Sequence, residues 1–216
     1  MDGAAFKDNV FNQLSRVGKV LSSPKRLEIL DLLSQGPKSV ESLSAITRMS
    51  VANTSKHLQA LLDSQLVVYR KDRNYVIYDL SDKSVIDLLL AIRTVADKQL
   101  EELAQLRQQI EESREPFESV TVEQFVDRYE SGGITIIDVR PREEYEAGHI
   151  DGAISIPMGD LERYIDQLPQ DQAIFAYCRG HYCLYAAEAV KLLKAKGLHA
   201  IRLDASLHDW NKYRQQ

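Results

Sequence analysis

The chain has 216 residues, a net charge of −5 and 44% hydrophobic residues, enough for two ordinary domains, each with a core of its own. No run approaches the ~18 to 20 consecutive apolar residues of a membrane span. The start, MDGAAFKDNVFNQL, lacks the basic onset and apolar stretch of a secretory signal, so a cytoplasmic location is expected. Two cysteines, Cys178 and Cys183, are too few for a disulfide scaffold and read instead as a chemical pair.

The acidic average hides an asymmetry. Residues 1–115 carry 16 Lys/Arg against 16 Asp/Glu and residues 116–216 carry 11 against 16, so the whole deficit lies in the second half. Within residues 48–73, Arg48, Lys56, Arg70, Lys71 and Arg73 stand against Asp63 and Asp72. That local excess of three positive charges suits a DNA-binding face, although a solvated surface has the same composition.

In chain order, Phe6, Val10, Leu14, Val17 and Leu21 give residues 6–21 one apolar helical face. Ser23-Pro24 opens a second helix with Leu27, Leu30 and Leu33 inward, and Gly36-Pro37 stops it. Ser39 caps a short third helix through Leu43 and Ile46. Ser50 caps a fourth to about Ser64, with Val51, Leu58, Leu61 and Leu62 facing inward. The β-rich runs Leu66–Arg70 and Tyr75–Leu80 flank the polar residues Lys71 to Asn74 and predict a hairpin. This order, with a polar fourth helix and a basic hairpin tip, predicts an α+β winged helix-turn-helix domain. From Ser84 to about Arg114 no Gly or Pro intervenes, and Leu89, Ile92, Ala96, Gln99, Leu103, Leu106 and Ile110 form an a/d-type seam. One helix of ~30 residues would run ~45 Å, too long for a small domain to cover, which points to an intermolecular helix pair. Pro116 marks the boundary, giving domains 1–115 and 116–216.

The first of these segments resembles the ArsR family of bacterial repressors: Val20–Leu33 its second helix, Met49–Leu61 its recognition helix and Leu66–Leu80 its wing. The resemblance implies a homodimer that binds double-stranded DNA at an inverted-repeat operator. Ser50, Asn53 and Lys56 lie where side chains reach bases and phosphates, and Arg70, Lys71 and Arg73 suit phosphate contacts. His57 can contact DNA or pack in the domain. Metal sensing is not expected. The third helix has no thiolate pair, and at the four positions of the family's zinc-type site stand Asp82, Ser84, Val95 and Lys98. No metal and no cofactor is anticipated.

In the second half, a helix from Val122 to Tyr129 precedes a strand at Ile134–Val139. A further strand at Ala173–Tyr177 leads to a helix from about Tyr182 to Ala195, and another strand begins at Ala200. This alternation predicts an α/β domain with a parallel sheet covered by helices. Ligands bind at the carboxyl ends of such strands. Cys178 follows Tyr177 there, and turn amides, a helix N-terminus and Arg179 would favour its thiolate.

Ile136–Arg140, Glu143–Ile150, Ala153–Pro157 and the six-residue loop Cys178-Arg179-Gly180-His181-Tyr182-Cys183 resemble the rhodanese family. That likeness implies a sulfurtransferase nucleophile at Cys178, which takes sulfane sulfur from a small donor such as thiosulfate or polysulfide as a persulfide. Arg179 and the loop amides would hold it, while Asp138, Arg140 and His149 brace the sheet end. The chain departs from the family's pattern in three places. Gly180 stands two rather than three residues after the Cys, with His181 in the usual glycine place. Cys183 ends the loop, and Ala205-Ser206 replaces a Gly-Gly pair ahead of Trp210. Phosphatase chemistry in a related fold needs Arg six residues after the Cys, where this chain has Leu184. Cys183 reads either as a thiol that resolves modified Cys178 or as a small apolar residue in the first turn of a buried helix. Two functions follow: a DNA-binding regulator responding to reactive sulfur or oxidants through Cys178, or a sulfurtransferase whose winged helix serves dimerisation.

Overall fold

The computed structural model describes residues 2–112, 118–180 and 182–215, without the side chains of residues 107 and 109–112. The chain divides into two compact units, Met1–Ala96 and Asp97–Gln216. The expected boundary at residues 115 and 116, including Pro116, lies outside the described residues, as do Arg114, the side chain of Ile110 and His181.

The first unit contains α1 (Gly3–Leu21), α2 (Pro24–Ser34), β1 (Lys38–Ser39), α3 (Val40–Thr47), α4 (Val51–Asp63), β2 (Val67–Asp72), β3 (Tyr75–Leu80) and most of α5 (Lys83–Gln99). Proline stands at the start of α2, where a missing N–H costs nothing. Ser39 and Ser50 cap α3 and α4, their hydroxyls accepting from the amides of Ser42 and Asn53 at 3.1 and 3.2 Å. Ile29, Leu30, Leu32 and Leu33 are all buried, so α2 lies at the centre of a core with Leu43, Leu58, Leu61 and Val67. The three strands form an antiparallel sheet in the order β1-β3-β2. This is the winged helix-turn-helix order. The hairpin turn is tighter than expected: Asp72 pairs with Tyr75, leaving only Arg73 and Asn74 between the strands.

Val51 corrects the inward face assigned to α4. It is 49% exposed, whereas Thr54 is fully buried beside Leu58 and Leu61. The first helical residue projects past the edge of the core, and spacing alone cannot show where a core ends. Two further expectations change, one for the connector and one for α1. The helical run breaks at Leu100 into α5 and α6 (Glu101–Glu112), with the Leu100 carbonyl accepting from Leu103 and Ala104. Leu100 serves as the cap without any Gly or Pro to announce it. The apolar face of α1 is also left uncovered by its own chain: Phe6, Phe11 and Leu14 are exposed, and only Val20 is buried.

The second unit continues from α6 through β4 (Ser119–Val120), α7 (Val122–Ser131), β5 (Ile134–Asp138), α8 (Arg142–Ala147), β6 (Ile154–Ser155), α9 (Leu161–Tyr164), β7 (Ala173–Tyr177), α10 (Tyr185–Ala195), β8 (Ala200–Leu203) and α11 (Leu207–Arg214). Its five strands are parallel in the order β4-β8-β7-β5-β6. Alternate residues of β5 and β7 feed two apolar clusters. Ile137, Ile174 and Ala176 join Leu161, Val190 and Leu193, while Ile136, Phe175 and Tyr177 join Phe125, Ile150 and Trp210. This is the expected α/β sheet with helices on both faces. One expectation changes with a consequence for the chemistry: α10 begins at Tyr185, not Tyr182. Cys178 therefore opens a loop and does not abut a helix, because Gly180, at φ 104°, turns the chain away from helical geometry.

Candidate functional site

In the first unit the turn between α3 and α4 sets the polar helix in place. Arg48 ends α3 in the left-handed conformation, at φ 55°. The half-exposed Lys25 ammonium donates to the Thr47 carbonyl at 3.0 Å, and the buried Ser44 hydroxyl donates to the Met49 carbonyl at 2.6 Å. Ser50, Asn53 and Lys56 then stand exposed on α4, with the Ser50 hydroxyl engaged as the cap. His57 is half-buried, and its pKa is held below the ordinary value by burial and by the nearby charges of Arg26 and Lys25.

Arg70, Lys71 and Arg73 are all exposed on the wing, but they do not share one face. Arg70 pairs with Ile77 and Lys71 with Val76, and successive strand residues point to opposite sides. Lys71 lies on the side that carries Val67 and Tyr78 into the core, and Arg70 on the outer side. Arg73 occupies the turn at φ 53°.

In the second unit the candidate residues gather at the carboxyl ends of β5 and β7. Cys178 is 1% exposed and packs into the apolar cluster with Ile137 and Val190. Cys183 lies partly buried at the margin of that cluster and is joined to Cys178 by a disulfide, with the two Cα atoms 6.3 Å apart. The amide of Cys183 donates to the Gly180 carbonyl at 3.0 Å, which closes the loop. Cys183 thus belongs to the loop and not to the first turn of a helix. Tyr182 is half-buried, and its hydroxyl donates to the carboxylate of Asp97 within the same unit.

A buried polar network underlies the loop. The Arg140 guanidinium donates to the Asp138 carboxylate at 2.6 to 3.1 Å and to the Gly148 carbonyl at 2.7 Å. Tyr177 donates to the same carboxylate at 2.6 Å and accepts from the Ile150 amide at 3.0 Å. Burial, then the Asp138 charge, pushes the Tyr177 pKa far above the ordinary phenol value. For Arg140, burial would lower the pKa, but hydrogen bonding to Asp138 and its charge outweigh that and raise it. Arg179, beside the nucleophile position, makes a two-pronged ion pair with Glu144 at 2.9 and 2.6 Å. Glu144 is 1% exposed. Sequence reasoning missed both Tyr177 and Glu144. Residues 35 apart carry no spacing signal, and a tyrosine inside an apolar strand reads as core.

A model of the bacterial regulatory protein arsR family matches residues 23–69, and a model of the rhodanese-like domain matches residues 121–213. Across 94% of its length the chain is 38% identical to the HTH-type transcriptional regulator Rv0324 of Mycobacterium tuberculosis, spanning 89% of that protein. The chain belongs to the arsR family. It is a DNA-binding transcriptional regulator of that family with a rhodanese-like domain. An arsenical resistance operon repressor of Staphylococcus xylosus is 42% identical over 33% of this chain and 68% of that one. A solved winged helix-turn-helix DNA-binding domain from Mycobacterium bovis, described as homodimeric, is 36% identical. It covers 47% of this chain and 92% of that one, with a TM-score of 0.43.

Measured against the arsR family's zinc-type site, this donor set does not fit a metal. Asp82 is occupied with the start of α5, accepting from the Ser84 amide at 2.9 Å, and hydrogen bonds from Ser84 hold its pKa low. Ser84, Val95 and Lys98 supply no second strong ligand. Two of the positions where the chain departs from the rhodanese pattern, Gly180 and Ser206, lie side by side. A Cβ on Gly180 would lie 3.4 Å from the Cβ of Ser206. Ser206 in turn caps α11, its hydroxyl donating to Asp209 at 2.6 Å and accepting from the Asp209 amide at 3.2 Å. The 3.4 Å separation is an ordinary contact, so it is the positive φ of 104° and not Ser206 that favours glycine at 180. No helix among the described residues is long and apolar enough to cross a membrane.

Proposed function

We propose that this regulator acts in the cytoplasm as a homodimer on an inverted-repeat operator, and that sulfane sulfur or oxidants control it through Cys178. The observation that carries the reading is the pairing of Cys178 with Cys183 inside the loop that follows β7. In the dithiol form the Cys178 thiolate attacks the outer sulfur of thiosulfate, releases sulfite and holds the sulfur as a persulfide. The Cys183 thiolate then attacks the Cys178 sulfur, forms the disulfide and expels hydrosulfide. The net reaction oxidises two thiols and reduces thiosulfate to sulfite and sulfide. Polysulfide reacts in the same way, and peroxide reaches the same disulfide through a sulfenic acid with loss of water. In these terms Cys178 is the nucleophile and Cys183 the resolving thiol. The loop residues Gly180 and Tyr182 shape the site, and Arg179, held by Glu144, stands beside it.

Ser50, Asn53 and Lys56 are assigned to the operator's major groove, and Arg70, Lys71 and Arg73 to its phosphates. Support for the dimer comes from the uncovered apolar faces: Phe6, Phe11 and Leu14 on α1, and Leu106 on α6, are each more than half exposed. The alternative, a sulfurtransferase whose winged helix serves only dimerisation, requires turnover. A nucleophile that is buried and already bonded disfavours turnover in this form.

The test pairs peptide mass spectrometry with operator binding for the reduced, thiosulfate-treated and polysulfide-treated protein. The expected outcome is a disulfide after treatment and a changed operator affinity, both absent in Cys178→Ser. Equal affinity of the dithiol and disulfide forms would overturn the regulatory reading. Sustained thiocyanate production from thiosulfate and cyanide would favour the enzyme.

A further inference from the structure

A disulfide switch has to be reset, and the two sulfurs of this one differ in access. Cys178 is 1% exposed, lodged among Ile137, Val139 and Val190 in the apolar cluster beneath the sheet end. Cys183 sits at the margin of the same cluster and is only partly buried. Thiolate attack on a disulfide proceeds along the axis of the bond, from the side opposite the leaving sulfur. Cys178, almost wholly buried in that cluster, leaves a reagent little room for such an approach. Cys183 is only partly buried, and the two residues that follow it in the chain are large, apolar and open, Leu184 at 50% and Tyr185 at 42% exposure. These two residues cap and begin α10. A small thiol gains nothing from such a rim, whereas a protein surface that covers it gains from the apolar area taken out of water.

From this asymmetry we infer that the disulfide is reduced by a dithiol protein that docks on Leu184 and Tyr185 and attacks Cys183. The inference deepens the proposed function, since it rests on the disulfide as the reacted state. One thiolate of the partner bonds to the Cys183 sulfur, and the bond between the two loop cysteines breaks. Its electron pair leaves on Cys178, which departs as a thiolate. The partner's second thiolate then attacks its own mixed-disulfide sulfur and displaces Cys183, which takes up a proton. The regulator gains two electrons and the partner ends as a disulfide. The nucleophile is thus freed in the first step, before the partner departs.

The experiment uses the oxidised full-length protein and, as probe, a thioredoxin whose resolving cysteine is replaced by serine, so that the mixed disulfide persists. Peptide mass spectrometry should place the thioredoxin on Cys183 and leave Cys178 open to alkylation. Attachment to Cys178, or no mixed disulfide, would overturn the inference. In a second arm, intact thioredoxin and dithiothreitol reduce the parent and Leu184→Ser/Tyr185→Ser proteins. Both substituted positions are exposed, so the fold is not at stake. The thioredoxin rate should fall roughly tenfold while the dithiothreitol rate stays within about twofold, since access and not intrinsic reactivity has changed. Equal slowing with both reductants, or no slowing with either, would remove the docking surface. The regulatory reading fails separately: if thioredoxin joins Cys183 but dithiol and disulfide forms bind the operator equally, the route of reduction stands and control of DNA binding does not.

Discussion

The two units place their polar and charged candidates in opposite ways. In the first, Ser50, Asn53, Lys56, Arg70, Lys71 and Arg73 are all exposed. In the second, Asp138, Arg140 and Glu144 are at most 1% exposed, beneath a nucleophile that is buried as well. A polyanion is bound by charges that reach out into solvent and release counterions on contact. A reactive loop instead needs groups fixed before the reagent arrives, which means burial and pairing. The same residue type therefore carries different costs. An exposed arginine contributes little to stability, but a buried one cannot be removed without stranding its partner.

The largest expected effect breaks that pairing. Arg140→Met strands the Asp138 carboxylate in the core and should cost the second unit roughly 3–5 kcal/mol. Arg70→Ala should change the stability of the first unit by less than ~0.5 kcal/mol. The chain has a single tryptophan, Trp210, buried in the second unit, so denaturant titration followed by its fluorescence reports that unit alone. A fluorescence midpoint unchanged by Arg140→Met would erase the contrast.

Next in size is assembly. Leu103 is half-buried and Leu106 is 53% exposed, so each would gain roughly half of the ~1.5–3 kcal/mol that burying a fully exposed leucine gives. Replacing both by Asp should shift sedimentation from dimer to monomer at micromolar concentration and weaken operator binding with it. A double variant that stays dimeric would remove α6 from the interface.

A smaller effect sharpens the reading of the wing. The triple change of Arg70, Lys71 and Arg73 to Ala should weaken binding to all sequences alike and flatten the salt dependence, by about 0.9 in slope for each phosphate no longer neutralised. Because Arg70 and Lys71 lie on opposite sides of the strand, the single variants should differ. One should carry most of the slope, as measured by fluorescence anisotropy across a salt series. Equal contributions would mean that both strand faces approach DNA.

Much of this architecture was legible in the sequence, because helical spacing, capping serines and short apolar strands are local signals. What escaped depends on contacts distant in the chain. The two-residue strands β1 and β4 are too short to alternate and form only because β3 and β8 lie beside them. The break at Leu100 and the exposure of Val51 reflect where packing partners end. At the reactive loop, Cys178 and Cys183 could be singled out by residue type and position, but the tie between Arg179 and Glu144 could not. Nor could the delayed start of α10, which a positive φ at Gly180 imposes on a stretch of acceptable helix formers.

The smallest expected effect lies between the two regimes, at His57, a titratable residue of the first unit that is half-buried. Burial and the charges of Arg26 and Lys25 hold its pKa below the ordinary 6.5, so the folded state favours the neutral ring. Below pH ~6.5 the unfolded chain takes up a proton that the folded unit resists, so stability decreases as the pH is lowered. The contribution is complete above the unfolded pKa and declines from there through the lowered folded value. His57→Gln should therefore flatten the pH dependence of the first unit's stability between about pH 7 and pH 5, as followed by far-ultraviolet circular dichroism. It should leave the Trp210 transition unchanged. Asp82, whose pKa is also low, gives the opposite case of a carboxylate: its contribution is present above its unfolded value and is lost only as pH falls through the carboxylate range. The two windows are separated, so a flattening seen only below about pH 4 would belong to the carboxylates and would leave His57 without the role its burial assigns it.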